Sequence, residues 1–116
     1  MEKSVNEIIS ESFSEKEVIN LLTELVSIPS HDGIKGQETG VAEYIYNFFV
    51  KEDIEAQLIP VIDGRCNVTA RLKGTGNGNS LLFTGHTDTV PPMIWKGTHM
   101  KLEFQREKCT DAGLLI

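Results

Sequence analysis

Residues 80–91 read Ser80-Leu81-Leu82-Phe83-Thr84-Gly85-His86-Thr87-Asp88-Thr89-Val90-Pro91. The first five form a short, continuous and largely apolar run, which is typical of a strand buried inside a sheet. His86 and Asp88 follow at the carboxyl end of this predicted strand, where open α/β sheets bind their ligands. The stretch therefore predicts an α/β fold with a candidate site at His86 and Asp88.

Two more strands are predicted before this run. Residues 56–62 are mostly apolar, with Pro60 favouring an edge position, and residues 67–73 alternate apolar and polar side chains. The glycine-rich segment 74–79 has the composition of a turn and predicts a hairpin into the buried strand. A phosphate-binding loop is the alternative for this segment, but the third glycine of GxGxxG is missing and no helix follows.

Two helices are predicted ahead of the strands. The first begins at Ser14, which has the spacing of a capping box with Glu17, and it ends before Pro29. The second runs from about residue 38 to residue 51. Its apolar stripe predicts packing on a sheet rather than a binding face, and it consists of Val41, Tyr44, Ile45, Phe48 and Phe49. The element order predicts helices packed on a mixed sheet.

Composition limits the classes of function. The 116 residues carry a net charge of −6 and have a pI near 5.0, so no basic surface for nucleic acid is expected. No signal peptide is recognisable, and no apolar run approaches the ~20 residues of a membrane-spanning helix. Two cysteines, Cys66 and Cys109, are too few for a disulfide framework and are expected to be reduced thiols. We therefore predict a cytoplasmic protein without a membrane partner.

His86 and Asp88 are the residues of this segment that carry chemistry. Side chains two residues apart in extended backbone point to the same side. A neutral imidazole is a common zinc ligand, and a carboxylate beside it binds metal or orients the ring. A histidine in such a pair is also often structural, so the pair by itself leaves both interpretations open.

The sequence resembles the zinc-dependent aminoacylase and carboxypeptidase family that includes acetylornithine deacetylase and succinyl-diaminopimelate desuccinylase. The resemblance covers about residues 14–92, and its features occur in the family's order: Val26-Ser27-Ile28-Pro29-Ser30, Glu38-Thr39-Gly40, Asn67-Val68-Thr69-Ala70-Arg71-Leu72, a glycine turn, and the run from Leu81 to Pro91. It implies a metal-dependent amide hydrolase acting on N-acyl amino acids or short peptides. It also implies two zinc ions, with cobalt as a substitute, His86 as a zinc ligand, and Asp88 as a catalytic carboxylate that orients His86.

The resemblance stops at Pro92. Residues 93–116 lack the family's Gly-Arg-Gly-x-x-Asp element, its paired glutamates and its distal histidine, and the dimerisation domain that makes the full-length family homodimeric is absent. Restoring one base before the codon of Met93 permits the tail to encode a segment ending in Tyr-Gly-Arg-Gly-Ala-Ala-Asp-Met. We therefore predict that residues 1–92 are the amino-terminal part of a metallohydrolase catalytic domain and that residues 93–116 are an out-of-frame tail.

This prediction determines how the remaining candidates are interpreted. His99, Cys109 and Asp111 are taken as unselected tail residues rather than metal ligands, and His31 as a loop residue. The expected fold is the truncated start of a mixed-sheet zinc-peptidase domain, with an incomplete zinc site, no activity of its own and marginal stability. The alternatives are a small acidic interaction module and a non-functional truncated product.

Overall fold

The computed structural model describes residues 1–91. Within them the chain forms three helices, α1 (Val5–Ser12), α2 (Glu15–Ser27) and α3 (Thr39–Lys51), and two strands, β1 (Glu55–Ile62) and β2 (Arg65–Arg71). The strands pair antiparallel, and α3 packs against both of them. The structure confirms the predicted mixture of helices and strands, with a helix packed on the sheet.

Serine caps begin α1 and α2. The Ser14 hydroxyl accepts a hydrogen bond from the Glu17 backbone N–H at 3.2 Å, and the Glu17 carboxylate accepts one from the Ser14 N–H at 2.7 Å. Ser4 and Glu7 form the same capping box at the start of α1, a helix that lies before the two predicted ones. The start predicted at Ser14 is confirmed, whereas α1 buries none of its residues.

The cap of α2 is expected to weaken in acid. Hydrogen bonds from the Ser14 backbone and hydroxyl lower the pKa of Glu17 from its usual 4.5. Because the folded pKa lies below the unfolded one, this stabilisation is present above the unfolded pKa and is lost as the pH falls through the folded value. Between about pH 5 and about pH 2, the Ser14 amide resonance of the wild type should therefore shift with the titration of Glu17.

A matched pair of variants checks this expectation. Glu17→Gln keeps an oxygen acceptor but cannot titrate, so its Ser14 resonance should stay nearly constant over that pH range. Glu43→Gln, on an exposed part of α3, should leave the wild-type titration unchanged. An unaltered titration in Glu17→Gln would show that the capping carboxylate is not the group responsible.

The turn of the hairpin lies at Asp63 and Gly64. Both residues have positive φ, 48° and 74°, and they join Ile62 to Arg65, so the turn has the two left-handed residues of a type I′ hairpin. Asp-Gly is a strong sequence signal for such a turn, because glycine adopts this backbone without steric cost. The hairpin turn therefore lies at Asp63 and Gly64, not at the later glycine-rich segment where it is predicted.

The prediction of a buried strand at residues 80–84 is wrong. No strand forms there, and Leu81, Leu82 and Phe83 are 79%, 83% and 86% exposed. The hairpin predicted at residues 74–79 is therefore also wrong. A central strand needs hydrogen-bonding partners on both sides, and the described part of the chain offers only the two edges of one hairpin.

The buried core is small. Val26 of α2 and Val41 and Ala42 of α3 are the buried apolar residues of the described chain, with 9%, 5% and 0% exposure. The hydroxyl of Tyr44 donates a hydrogen bond to the Glu24 carboxylate, which links α3 to α2 and raises the pKa of Tyr44. α3 packs on the two strands, as predicted, with Val41 of its apolar stripe buried and Phe48 still 38% exposed. No helix among residues 1–91 has the length and apolar character needed to cross a membrane.

Candidate functional site

His86 and Asp88 are in direct contact. Nδ1 of His86 lies 3.1 Å from the Asp88 carboxylate Oδ1 and 2.9 Å from the Asp88 backbone oxygen. The side chains keep 75% and 48% of their accessible surface, so the pair is open to solvent. The structure therefore brings together the two residues that the sequence predicts as a site.

The contacts of Nδ1 determine which nitrogen of the neutral His86 ring carries the proton. Both neighbours of Nδ1, the carboxylate and the backbone carbonyl of Asp88, are acceptors. A neutral imidazole in this arrangement donates from a protonated Nδ1, and Nε2 is left with a free lone pair. This is the tautomer in which a histidine can bind a metal through Nε2 while a carboxylate orients it.

The segment that carries this pair is attached to the loop after α2. The Thr89 backbone N–H donates to the carbonyl of Ser30 at 3.3 Å, and the Ser30 hydroxyl donates to the Thr89 hydroxyl at the same distance. His31 and Thr89 form an isolated parallel bridge. Ser30 is 1% exposed, and it is the one polar residue that is buried among residues 1–91. His31 is a loop residue, as predicted, but its backbone also holds the site segment.

An ion pair lies beside this loop. The Arg65 guanidinium donates from Nε to the Glu38 carboxylate oxygens at 2.9 and 3.1 Å, and its Nη2 lies 2.9 Å from Oε1. These hydrogen bonds, together with the negative charges of Glu38, Asp88 and Asp32, raise the pKa of Arg65. The pair thus joins the residue before α3 to the first residue of β2.

The described residues do not make a complete zinc site. Among residues 1–91, no three histidine, cysteine, aspartate or glutamate side chains lie close enough together to hold a metal ion. A catalytic zinc normally takes three protein ligands, and here His86 offers one nitrogen donor with a carboxylate that orients it. Cys66 is a free, half-buried thiol in β2. His99, Cys109 and Asp111 lie outside the described residues.

Sequence reasoning missed the long-range contacts of the loop after α2. Ser30 and Thr89 are 59 positions apart, and Glu38 and Arg65 are 27 apart. No local pattern links residues at such separations. One indirect signal existed: the Asp63-Gly64 turn would have identified the hairpin that brings Arg65 back to the start of α3.

Three relatives are similar to part of this chain. A Staphylococcus aureus protein named "Probable succinyl-diaminopimelate desuccinylase" is 35% identical over 80 residues, which cover 68% of this chain and 18% of that protein. "Probable carboxypeptidase AN5749" of Emericella nidulans is 37% identical over 79 residues, or 66% of this chain and 18% of that protein. "Uncharacterized protein YqjN" of Bacillus subtilis is 35% identical over 105 residues, covering 85% of this chain and 18% of that protein.

The chain therefore spans about 18% of the length of the curated relatives that it matches. Two of these three carry the names of hydrolases, so the partial similarity points to a hydrolase family. No family model matches the chain, and no solved structure matches it.

Proposed function

We propose that residues 1–92 are the amino-terminal part of a metal-dependent hydrolase that cleaves the amide bond of N-acyl amino acids or short peptides. The partial similarity to proteins named as a desuccinylase and a carboxypeptidase supports this reaction class. Zinc is the proposed metal, with cobalt as a substitute, and a homodimer is the proposed assembly of the full-length protein. The 116-residue chain is proposed to be inactive, because the described residues do not make a complete zinc site.

The observation that carries the proposal is the contact between His86 and Asp88. In this proposal His86 supplies one metal ligand through Nε2, and Asp88 holds the ring by accepting the hydrogen bond from Nδ1. The accessibility of both side chains leaves room for a metal and for ligands from elsewhere in a complete protein. The remaining ligands are proposed to lie outside the described residues.

Residues 93–116 are proposed to be out of frame. The net charge supports a change of character at this boundary: residues 1–92 hold 7 basic and 14 acidic side chains (−7), and residues 93–116 hold 4 and 3 (+1). The shifted codons also permit a glycine-rich element ending in aspartate. Sequencing the DNA through the codon of Pro92 and beyond the stop tests this part of the proposal directly.

The activity is tested on the product of the restored frame. With zinc or cobalt, it should hydrolyse N-succinyl or N-acetyl amino acids, or dipeptides. His86→Ala should lower kcat/KM at least about 100-fold, and Asp88→Asn about 10- to 100-fold, because losing the residue that orients a metal ligand typically costs that much. Gln57→Ala, at an exposed position of β1, should retain the wild-type rate.

Two results would contradict the proposal. One is a short frame with nothing resembling a metallohydrolase downstream. The other is a restored protein whose metal-dependent hydrolysis survives in His86→Ala. Hydrolysis by the purified 116-residue chain with added zinc would separately contradict the statement that this chain is inactive.

A second candidate function is a small acidic interaction module. It is favoured by the exposed apolar side chains of α1 and of residues 81–83, which a partner could cover. Recovery of a stable partner at stoichiometric ratio by the 116-residue chain would support it. Loss of that partner on mutation of those apolar residues, but not of His86, would favour it over the hydrolase.

A further inference from the structure

The loop between β2 and the segment that carries His86 contains an asparagine followed by a glycine. The sequence has six asparagines, and Asn77 is the one that precedes a glycine. Asn79 shares the loop but precedes a serine. The other four lie in helices or in β2, where hydrogen bonds hold the backbone: Asn6, Asn20, Asn47 and Asn67. Asn77 therefore combines a glycine neighbour with a place outside the helices and strands of residues 1–91.

The backbone at this step is open. Asn77 and Gly78 are both exposed, and among residues 1–91 the N–H of Gly78 donates to no backbone carbonyl. A Cβ built on Gly78 would meet no atom of the described chain within 4 Å beyond its own neighbours. Exposed loops without such contacts rearrange at almost no cost in free energy. The side chain of Asn77 and the nitrogen of Gly78 can therefore approach each other freely.

This step favours attack of the backbone nitrogen on the asparagine side chain. Glycine has no Cβ, so its nitrogen is unshielded and its backbone accepts the conformations that a five-membered ring requires. The Gly78 nitrogen gives up its proton to solvent and forms a bond to Cγ of Asn77. The bond from Cγ to Nδ2 breaks, and ammonia leaves after taking up one proton. Water then adds to either carbonyl of the cyclic imide and opens it to aspartate or isoaspartate.

We propose that Asn77 is a site of spontaneous deamidation, with water as the reactant and ammonia as the leaving group. Each event adds one negative charge to a chain of net charge −6. The isoaspartate product also places an extra carbon in the backbone of the loop. The fold should survive both changes, because neither the pairing of β1 with β2 nor the hydrogen bond between Ser30 and Thr89 involves residues 74–79. The proposal does not depend on the proposed hydrolase function.

Two aspartates also precede a glycine, but they are distinguishable from Asn77. Asp32 accepts a hydrogen bond from the Gly33 N–H at 2.9 Å, and Asp63 lies with Gly64 in the hairpin turn. An aspartate carboxylate is ordinarily ionised at neutral pH and then resists attack by a nitrogen. Isomerisation of an aspartate also leaves the mass unchanged, so a gain of mass reports on asparagine alone.

Mass spectrometry of the complete 116-residue chain during incubation tests the proposal. The fragment that contains Asn77 should gain the mass difference between an amide and an acid, with both aspartate and isoaspartate at this position. The rate should rise with pH, because the attacking nitrogen must lose its proton. A synthetic peptide of residues 73–80 gives the rate in an unrestrained chain. The protein should match that rate within about threefold, because a loop that opens freely offers no protection.

Matched variants separate the contributions of the two residues. Gly78→Ala should slow the reaction at least about tenfold, because a Cβ shields the nitrogen and narrows its backbone conformations. Alanine fits at this position, since the space is open and the φ of Gly78 lies outside the left-handed region. Asn77→Gln should abolish the gain of mass, because its longer side chain closes a six-membered ring far more slowly. Asn79→Gln should leave the rate at Asn77 unchanged.

Three outcomes would overturn the inference. One is a protein in which Asn77 stays an amide while the peptide of residues 73–80 deamidates, because the fold would then protect the loop. Another is an equal gain of mass at Asn67 and Asn77, which would make the reaction unspecific. The third is a loss of the circular dichroism signal before any gain of mass, because unfolding and not the open loop would then expose Asn77.

Discussion

Ala42→Asp is expected to unfold the chain. The side chain of Ala42 is fully buried in α3, and only Val26 and Val41 share the apolar core of the described residues. An unpaired carboxylate in such a place costs several kcal/mol or must take up a proton. The free energy of unfolding of an ordinary domain is roughly 5–15 kcal/mol. Because the buried apolar core of the described residues has three members, we expect this chain to lie at the lower end of that range.

Circular dichroism and urea denaturation measure the effect. The variant should lose most of its helical signal at neutral pH and show no cooperative urea transition. Asn47→Asp adds the same charge at an exposed position of α3 and should leave the urea midpoint nearly unchanged. A wild-type midpoint in Ala42→Asp would mean that the Ala42 side chain is not buried in the folded chain.

Replacing Leu81, Leu82 and Phe83 together by serine is expected to abolish most of the self-association of the chain. Among residues 1–91 these adjacent side chains are 79–86% exposed, and no further strand pairs with either edge of the hairpin. Burying one such side chain between two molecules is worth roughly 1.5–3 kcal/mol. Three in a row therefore favour association strongly over a monomer in water.

Sedimentation velocity over a range of concentrations measures this change. The wild type should sediment as a mixture whose mean mass rises with concentration, and the triple variant should sediment as a monomer with the same circular dichroism. Leu72→Ser removes another exposed apolar side chain, 81% exposed, outside the triplet and should have a smaller effect. A monomeric wild type at all concentrations would refute the prediction.

Local patterns predicted the helices well and the third strand badly. The start of α2 at Ser14 and the extent of α3 follow from capping and a 3.6-residue period, which depend on neighbours a few residues away. The run at residues 80–84 has the composition of a buried strand, but a strand forms only when another strand pairs with it. Among the described residues neither edge of the hairpin pairs with this run, so its side chains stay exposed.

The same distinction applies to the candidate site. His86 and Asp88 are two residues apart, and their contact follows from that spacing once the local backbone is set. The prediction of their chemistry, one ligand and one orienting carboxylate, remains a proposal. The contacts of Ser30 with Thr89 and of Glu38 with Arg65 join segments far apart in the chain, so no spacing rule could have found them.

The amino-acid sequence by itself thus determined α2, α3, the two strands before the glycine-rich segment and the histidine–aspartate pair, because hydrogen bonds and side-chain periods within a few residues specify them. The tertiary structure alone decided that Ser30 holds Thr89 and that Leu81, Leu82 and Phe83 stay exposed. Each of these depends on which distant segments meet, and that depends on the packing of α3 on β1 and β2.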